Sequence, residues 1–144
     1  MKRLGIYFFF DKDGIVDKYV DYVLEDLTKH VDKLIVVCNG QLNERGRKTF
    51  EKFTGNIIVR ENKGFDVWAY KTAIDSEGWN KLIEYDEIIL MNYTIMGPVY
   101  PLKEMFDIMD KRLELDFWGI TKCFQENSPV AVSYTHLRAH ETSQ

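Results

Sequence analysis

The residues best suited to chemistry lie in one short polar segment, Arg60 to Asp66, which follows a short apolar run. Arg60 and Lys63 can meet phosphate charge, the first as a planar fork and the second as a point charge. Asn62 has an amide that can read a base edge, and Gly64 lets the backbone approach a ligand closely. These residue types in this order indicate a site for an anionic ligand.

The elements that must position this segment are strands alternating with helices. Continuous apolar runs typical of buried strands occur at Leu4–Phe10, Leu34–Val37, Ile57–Val59, Glu87–Met91 and Phe117–Ile120. Helical patterns lie between them, at Ile15–His30, Glu44–Phe53, Val67–Ser76 and Leu102–Arg112. This alternation indicates parallel pairing through right-handed crossovers. We therefore predict an α/β fold with a Rossmann-like, mostly parallel sheet flanked by helices.

Polar residues recur where the predicted strands end. In an open α/β sheet, ligands bind outside the carboxyl ends of the strands, so these residues are expected to share one crevice. The candidates for ligand contact at this edge are Asp11, Asn39, Arg60, Asn62, Lys63, Gly64, Asp66, Asn92 and Thr94.

Several candidates also have an alternative in which they serve only the local structure. Asp11, with Asp13 before Gly14, can form an Asx turn. Asn39 before Gly40 is more often a plain turn than a ligand site. Asp66 can cap the helix that it precedes. The Asn92 side chain can hydrogen-bond within its own loop. The sequence leaves these alternatives open.

Composition restricts the class of protein. A chain of 144 residues suits one domain, and 45% hydrophobic with 29% charged residues is typical of a soluble globular protein. The net charge of -4 provides no basic footprint for nucleic acid. The first apolar run is too short to span a membrane and no signal-peptide cleavage site follows it, so we expect a cytoplasmic protein. Cys38 and Cys123 are interpreted as two reduced thiols.

Several common motifs are missing from the sequence. It contains neither a G-x-G-x-x-G nor a G-x-x-x-x-G-K-[ST] pattern, and no catalytic Ser-His-Asp or Cys-His pairing is evident. His136 and His140 have the four-residue spacing of some zinc ligands, but the metalloprotease glutamate does not follow His136. We therefore assign no metal site to this pair.

Three ordered motifs resemble those of the rhamnan synthesis protein F family. The first is R-E-N-K-G-F-D at residues 60–66, with Trp68 two positions on. The second is Y-D-E-I-I-L-M-N at residues 85–92, followed by Gly97-Pro98 and Pro101-Leu102. The third is D-F-W-G-I-T at residues 116–121. Together they extend the resemblance over about Leu4 to Thr121. It adds Trp68 to the candidates for ligand contact, although Trp68 and Tyr70 also suit the core.

This resemblance implies the nucleotide-binding half of an A-type glycosyltransferase. The family is associated with rhamnose-containing cell-wall polysaccharides and O-antigens in bacteria. The implied partners are a nucleotide-sugar donor such as dTDP-L-rhamnose and a glycan acceptor, with peripheral membrane association of the full protein. In such folds, the N-x-G positions after the third strand, here Asn62 and Gly64, line the nucleotide site.

The resemblance also bears on a metal. Such folds hold Mg²⁺ or Mn²⁺ on the diphosphate through acidic residues after the fourth strand. Here that loop reads Asn92-Tyr93-Thr94, where the family commonly has Asn-Asp-Ser, so Tyr93 replaces the acid. A hard cation prefers carboxylate and other oxygen ligands, which puts a metal at this loop in question. Neutralisation of the diphosphate by Arg60 or Lys63 is the alternative.

The end of the chain lacks the sustained pattern of the rest. We therefore predict an incomplete α/β domain at residues 1–127 and an irregular, non-native tail at residues 128–144. The stretch V-S-Y-T-H-L-R-A-H-E-T at residues 132–142 is similar to translated sequencing-adapter read-through. On that interpretation the natural sequence ends near Pro129 to Ala131, and the acceptor-binding half and the catalytic base are missing.

A second function from a different class remains open. A non-catalytic, flavodoxin-like or receiver-type binding module would also explain the alternation of strands and helices, and Asp11 and Asp13 after the first strand. In that interpretation Asp66 would be the phosphoacceptor and Lys122 the lysine that follows the fifth strand. The order of Asn62, Gly64 and Trp68 fits that interpretation poorly.

Overall fold

The computed structural model describes residues 1–120 in full and, beyond them, the backbone of residues 123–125, 128–130 and 134–138. The strands are β1 (Arg3–Asp11), β2 (Lys33–Gly40), β3 (Ile57–Arg60), β4 (Glu87–Asn92), β5 (Phe117–Trp118), β6 (Cys123–Gln125), β7 (Ser128–Val130) and β8 (Tyr134–Arg138). The helices are α1 (Lys18–Leu27), α2 (Glu44–Glu51), α3 (Phe65–Glu77), α4 (Trp79–Leu82) and α5 (Leu102–Met109).

The centre of the fold is a parallel sheet of four strands in the order β3-β2-β1-β4. The predicted Rossmann-like α/β fold is therefore confirmed. Beyond β4 the order continues with β8 and β5, and the β4–β8 and β8–β5 pairings are antiparallel. Because β2 and β3 extend outward on one side of β1 and β4 lies on its other side, the strand order reverses between β1 and β4. Crevices at such switch points are where open α/β sheets bind ligands.

The strand order also tests the flavodoxin-like fold of the alternative that the sequence left open. Flavodoxin-like and receiver folds have the order 2-1-3-4-5, in which the third strand lies on the far side of the first. In this chain β3 pairs with β2 instead, in register from Val36–Ile57 to Asn39–Arg60. The flavodoxin-like alternative is therefore wrong as a description of this fold.

Helices cover both faces of the sheet because β1 alternates its apolar side chains between them. Leu4, Ile6 and Phe8 lie on one face, where α3 packs through residues such as Ala69 and Ala73. The opposite face, which includes the β1 residues Tyr7 and Phe9, is covered by apolar residues of α1, α2 and α5: Val20, Val23, Leu24, Leu27, Phe50, Leu102 and Phe106. A strand buried on both faces reads as a continuous apolar run, as predicted for the first strand.

The amino end of the sheet is closed by a buried charged cluster. Arg3 Nε donates to Glu87 Oε2 at 2.6 Å, and its Nη2 also forms an ion pair with Asp110. The indole Nε1 of Trp118 donates to Glu87 Oε1 at 2.8 Å, and the Arg3 guanidinium lies 4.5 Å from the Phe106 ring centre. Glu87 is almost completely buried, so these donors compensate a charge removed from water.

Several predicted boundaries differ from the structure. Helix α1 is shorter than the periodic stretch from residue 15 to residue 30, and α3 begins at Phe65 rather than Val67. Strand β5 contains two residues and its sheet neighbour is the antiparallel β8, so it does not extend the parallel sheet. A two-residue strand has too few positions to show any sequence period, which is why the apolar run overstated it.

The described backbone within residues 128–144 forms β7 and β8, and β8 pairs with β4, so these residues are strands rather than irregular. The predicted domain boundary and the non-native character of the tail stay predictions. His140 and the side chains of His136 and Cys123 lie outside the described residues. Cys38 is a buried, free thiol, and burial raises its pKa to about 12. Within the described part of the chain, no helix combines the length and apolarity that a bilayer crossing requires.

Candidate functional site

A buried asparagine holds the polar segment that follows β3. Asn39, near the end of β2, has no exposed surface. Its Oδ1 accepts a hydrogen bond from Arg60 Nη1 at 2.7 Å, and its Nδ2 donates to the Phe65 carbonyl at 3.3 Å. Arg60 Nη1 also donates to the Lys63 carbonyl at 3.0 Å. Asn39 therefore lies beneath the loop and fixes its path, and the plain-turn alternative does not describe it. Its direct contact with a ligand stays a prediction.

The loop enters α3 through two consecutive left-handed residues, Gly64 with φ 72° and Phe65 with φ 53°. A Cβ on Gly64 would lie 1.8 Å from Trp68 Cδ1, so the indole occupies the space where a side chain would project. Only glycine satisfies both the backbone conformation and this contact. Gly64 is thus required by the loop itself, apart from any approach to a ligand. The 55% exposure of the Trp68 side chain contrasts with the buried Tyr70, so only the latter is a core residue.

Asp66 connects α3 to the far side of β1. Its Oδ2 accepts a hydrogen bond from Asn92 Nδ2 at 3.2 Å, and its Oδ1 accepts from the Val67 amide at 2.9 Å. Gly64, rather than Asp66, precedes the helix as its N-cap residue. A carboxylate in the first turn still interacts favourably with the helix dipole. The capping alternative is therefore wrong: Asp66 lies inside the helix, no side chain caps it, and the Asp66 carboxylate is instead held by Asn92.

The loop after β4 is engaged in its own structure. Asn92 Oδ1 accepts a hydrogen bond from the Thr94 amide at 3.1 Å, as the local alternative predicted. The Tyr93 ring packs edge-on against Phe8 and Phe9, at 5.5 and 5.7 Å between ring centres. The Tyr93 ring therefore contacts two β1 side chains that lie on opposite faces of the sheet. Thr94 is exposed next to it.

The end of β1 forms the predicted Asx turn. Asp11 Oδ2 accepts hydrogen bonds from the amides of Asp13 and Ile15, both at 2.9 Å. A Cβ on Gly14 would lie 2.8 Å from the Asn43 amide nitrogen, and its φ is 70°, so the turn requires glycine. Strand register pairs Asp11 with Gly40, which places both at the same edge as the loop after β3.

A divalent cation does not fit the side chains that surround this crevice. The loop after β4 has no carboxylate, because Tyr93 stands at the central position and packs against phenylalanines. The Asn92 oxygen accepts the Thr94 amide, and one oxygen each of Asp11 and Asp66 accepts backbone N–H groups, so these side chains are engaged in holding their own loops. Within the described residues, no group of three or more His, Cys, Asp and Glu side chains is arranged to hold a metal. The oxygen-rich ligand set of Mg²⁺ or Mn²⁺ is not assembled here.

The structure brings most of the predicted residues together by direct contact. Hydrogen bonds join the loop after β3 to Asn39 on one side and to Asn92 on the other. Asn62 and Lys63 are both exposed, and Asn62 Oδ1 also accepts a hydrogen bond from Asn39 Nδ2 at 3.4 Å. Sequence reasoning missed Phe65, which is 82% exposed at the start of α3. The sequence indicated Phe65 only by its position, because a large apolar residue is unexpected between Gly64 and Asp66 in a polar loop.

Comparison with known proteins identifies one family. A model of rhamnan synthesis protein F matches residues 34–143. The match begins at β2, whereas the resemblance drawn from the motifs begins at about Leu4. The match also includes residues 132–142, the stretch that is similar to adapter read-through. No curated protein and no solved structure matches the chain.

Proposed function

Because the chain belongs to the rhamnan synthesis protein F family, we propose that it is the donor-binding part of a glycosyltransferase. Membership in the family links the chain to rhamnan synthesis. The proposed donor is a nucleotide-activated sugar, of which dTDP-L-rhamnose is the first to test, and the proposed acceptor is a growing cell-surface glycan. The transfer would take place at the cytoplasmic face of the membrane.

The observation that carries the proposal is the anchoring of one cationic loop at the switch point of the sheet. Asn39 from β2 holds the Phe65 carbonyl, and Asn92 from β4 holds the Asp66 carboxylate. Since β2 and β4 flank β1, these contacts fix the loop across the carboxyl edge where such folds bind nucleotides. A site that is ordered before its ligand arrives avoids the cost of ordering it on binding.

The proposed chemistry is displacement at the anomeric carbon of the sugar, with the nucleoside diphosphate as leaving group. Negative charge develops on that diphosphate, and positive groups placed beside it stabilise that charge. We assign this role to Lys63, whose ammonium is exposed, and to Arg60, whose guanidinium Asn39 holds in place. The incomplete ligand set for a metal supports charge compensation by these two side chains. An acceptor hydroxyl would attack from the side opposite to the leaving group, and no described residue is assigned as its base.

Isothermal titration of the chain with dTDP-rhamnose and with dTDP tests the proposal. We expect saturable binding that is unchanged by manganese or by EDTA. Lys63→Ala is expected to weaken dTDP binding by about tenfold, since a charge-assisted contact contributes roughly 1.5 kcal/mol or more. Asn62→Ala removes an exposed amide whose Oδ1 accepts a long hydrogen bond from Asn39 Nδ2, at 3.4 Å, so we expect weaker binding with a chain that remains folded and a small decrease in melting temperature.

The matched control is Lys48→Ala, which removes an exposed lysine from α2, outside the proposed site. Its nucleotide affinity should equal that of the unmodified chain. A folded chain that binds none of dTDP, UDP, GDP or their sugar conjugates would overturn the proposed function. Binding that requires manganese would instead overturn the assignment of Lys63 and Arg60 as the charge-compensating groups.

A further inference from the structure

Phe65 has two features that are unusual for a residue with only a structural role. Its side chain is 82% exposed, although a phenylalanine gains most from burial. Its φ of 53° lies in the left-handed region, and it is the one non-glycine residue with positive φ among those the structure describes. Bulky residues adopt this conformation rarely, and strained residues of this kind concentrate where a ligand is bound.

The surroundings hold Phe65 in this conformation. Asn39 donates to its carbonyl oxygen from below, and the preceding Gly64 is fixed by contact with the Trp68 indole. The neighbouring Val67 is also exposed, so the first turn of α3 presents an apolar surface beside the cationic loop. The backbone is thus held from both sides while the ring projects away from the core.

The residues beside this apolar surface indicate which kind of ligand it would bind. Lys63 is two residues away, so the two Cα atoms are at most roughly 7.6 Å apart. A single ligand of nucleotide size can therefore meet the lysine with its phosphates and the phenyl ring with a planar group. Phe65 has no polar atom in its side chain, so its ring is suited to stack on a flat apolar face. A nucleobase has such a face, and stacking of bases on aromatic side chains is favourable for every base.

We propose that Phe65 is the stacking surface for the base of the donor nucleotide. The proposal rests on the proposed function and adds to it the part of the ligand that this residue contacts. The ring would order the base above the loop, while Lys63 and Arg60 meet the diphosphate. The left-handed backbone at Phe65 leaves the ring exposed beside the loop rather than packed in the core.

Two ligands and three variants test the proposal by titration calorimetry. The ligands are dTDP, replaced by whichever of UDP, GDP or ADP binds most tightly if dTDP does not bind, and inorganic pyrophosphate, which lacks a base. Phe65→Asn removes the ring and inserts a residue that tolerates left-handed backbone. Phe65→Tyr keeps the ring. Trp79→Ala is the matched control, since it removes a similarly exposed aromatic residue beyond the opposite end of α3.

We expect Phe65→Asn to weaken nucleotide binding by about tenfold, to leave pyrophosphate binding unchanged, and to keep or raise the melting temperature. Phe65→Tyr and Trp79→Ala should bind like the unmodified chain. Loss of affinity together with unchanged or higher thermal stability is a combination that a merely structural role cannot produce.

Two results would overturn the inference. Unchanged nucleotide affinity in Phe65→Asn would show that the ring makes no contact with the nucleotide. Equal loss for pyrophosphate would show that the residue acts on the phosphates through the loop. If the unmodified chain binds no nucleotide at all, the proposed function itself fails and this inference fails with it.

Discussion

The side-chain nitrogen of Asn92 lies 3.2 Å from Asp66 Oδ2, which joins the end of β4 to the first turn of α3. Asn39 makes the corresponding connection from β2 to the carbonyl of Phe65. The two asparagines lie on the strands that flank β1, so a single loop is held at the carboxyl edge from both directions. Both side chains are buried, which strengthens these hydrogen bonds and makes their loss costly.

Removing the carboxylate of Asp66 should affect stability as well as binding. In Asp66→Ala, the buried Asn92 amide loses this acceptor, so we expect a loss of about 1–2 kcal/mol in the free energy of unfolding. Nucleotide affinity should fall because the loop loses its anchor on β4. Urea denaturation and titration calorimetry measure the two effects.

Asp75→Ala is the matched control for that variant. Asp75 lies on the same helix and forms an exposed ion pair with Lys71, for which a change below about 0.5 kcal/mol is expected. Equal stability of Asp66→Ala and Asp75→Ala would contradict the anchoring role of Asp66.

Gly64 should be the least replaceable residue of the loop. Gly64→Ala places a Cβ 1.8 Å from Trp68 Cδ1 and imposes a left-handed conformation on alanine. The conformation alone costs about 1–2 kcal/mol, and displacement of the indole adds to it. Thermal denaturation of Gly64→Ala, Trp68→Ala and the double variant separates the two contributions, because only the contact with the indole is relieved in the double variant.

Gly55→Ala provides the comparison, since a Cβ there meets no atom within 4 Å and its φ is not in the left-handed range. Its stability should be unchanged or slightly higher, because alanine restricts the unfolded chain. If Gly64→Ala were as stable as Gly55→Ala, the indole contact would not constrain the loop.

Glu77 should give the fold a dependence on acidic pH. Burial raises the pKa of this carboxyl, but hydrogen bonds from Lys33 Nζ at 2.6 Å and Tyr85 OH at 3.0 Å outweigh burial and lower the pKa below its ordinary value of 4.5. A lowered pKa in the folded state contributes stability that is present above pH 4.5 and is lost as pH falls through the folded value. Burial, together with the contact with Glu77, raises the pKa of Tyr85 to about 12.

The comparison of the unmodified chain with Glu77→Gln measures this contribution. We expect the unmodified chain to be more stable by about 2 kcal/mol near pH 7, with a difference that shrinks steadily below pH 4.5. Urea denaturation between about pH 3 and pH 7 is the measurement, because this range spans the titration of the carboxyl. A difference that is constant over this range would show that the ion pair with Lys33 contributes nothing to folding.

The third motif shared with the family, at residues 116–121, should contribute to folding and not to nucleotide binding. Trp118 donates to Glu87 at the amino end of the sheet, opposite to the crevice. Trp118→Phe removes that donor from a buried carboxylate, for which we expect a loss of about 1–3 kcal/mol of stability. Nucleotide affinity of the folded fraction should be unchanged, as measured by calorimetry under conditions where circular dichroism shows a folded chain. A selective loss of affinity would instead connect this motif to the site.

The sequence predicted the order of the main strands and helices up to Trp118, because continuous apolar runs and helical spacing have direct physical causes in burial, but it did not predict β6 or β8. It also located the loop from Arg60 to Asp66 from its charged and small residues after an apolar run, although that run, β3, is a half-buried edge strand rather than the buried strand expected. What the sequence could not predict was which polar side chains are buried and which are exposed. Asn39 and Asn62 look alike in the sequence, yet one is fully buried and the other exposed, and only three-dimensional packing distinguishes them. The conformation of Phe65 depends likewise on contacts with residues distant along the chain.

The strand order has a consequence for the way this chain acquires its structure. Strand β1 is synthesised before its neighbours but occupies the interior of the sheet, and its partner on one side, β4, follows only after β2 and β3. Until β4 emerges from the ribosome, the Leu4–Phe8 edge has open backbone donors and acceptors and strongly apolar side chains, which is a surface that other nascent chains can pair with. Closure of such long-range pairs is slow. The edge of β1 therefore stays unpaired until β4, through Asn92, has emerged and docked, and β1 is the part of the nascent chain most open to wrong pairing until then.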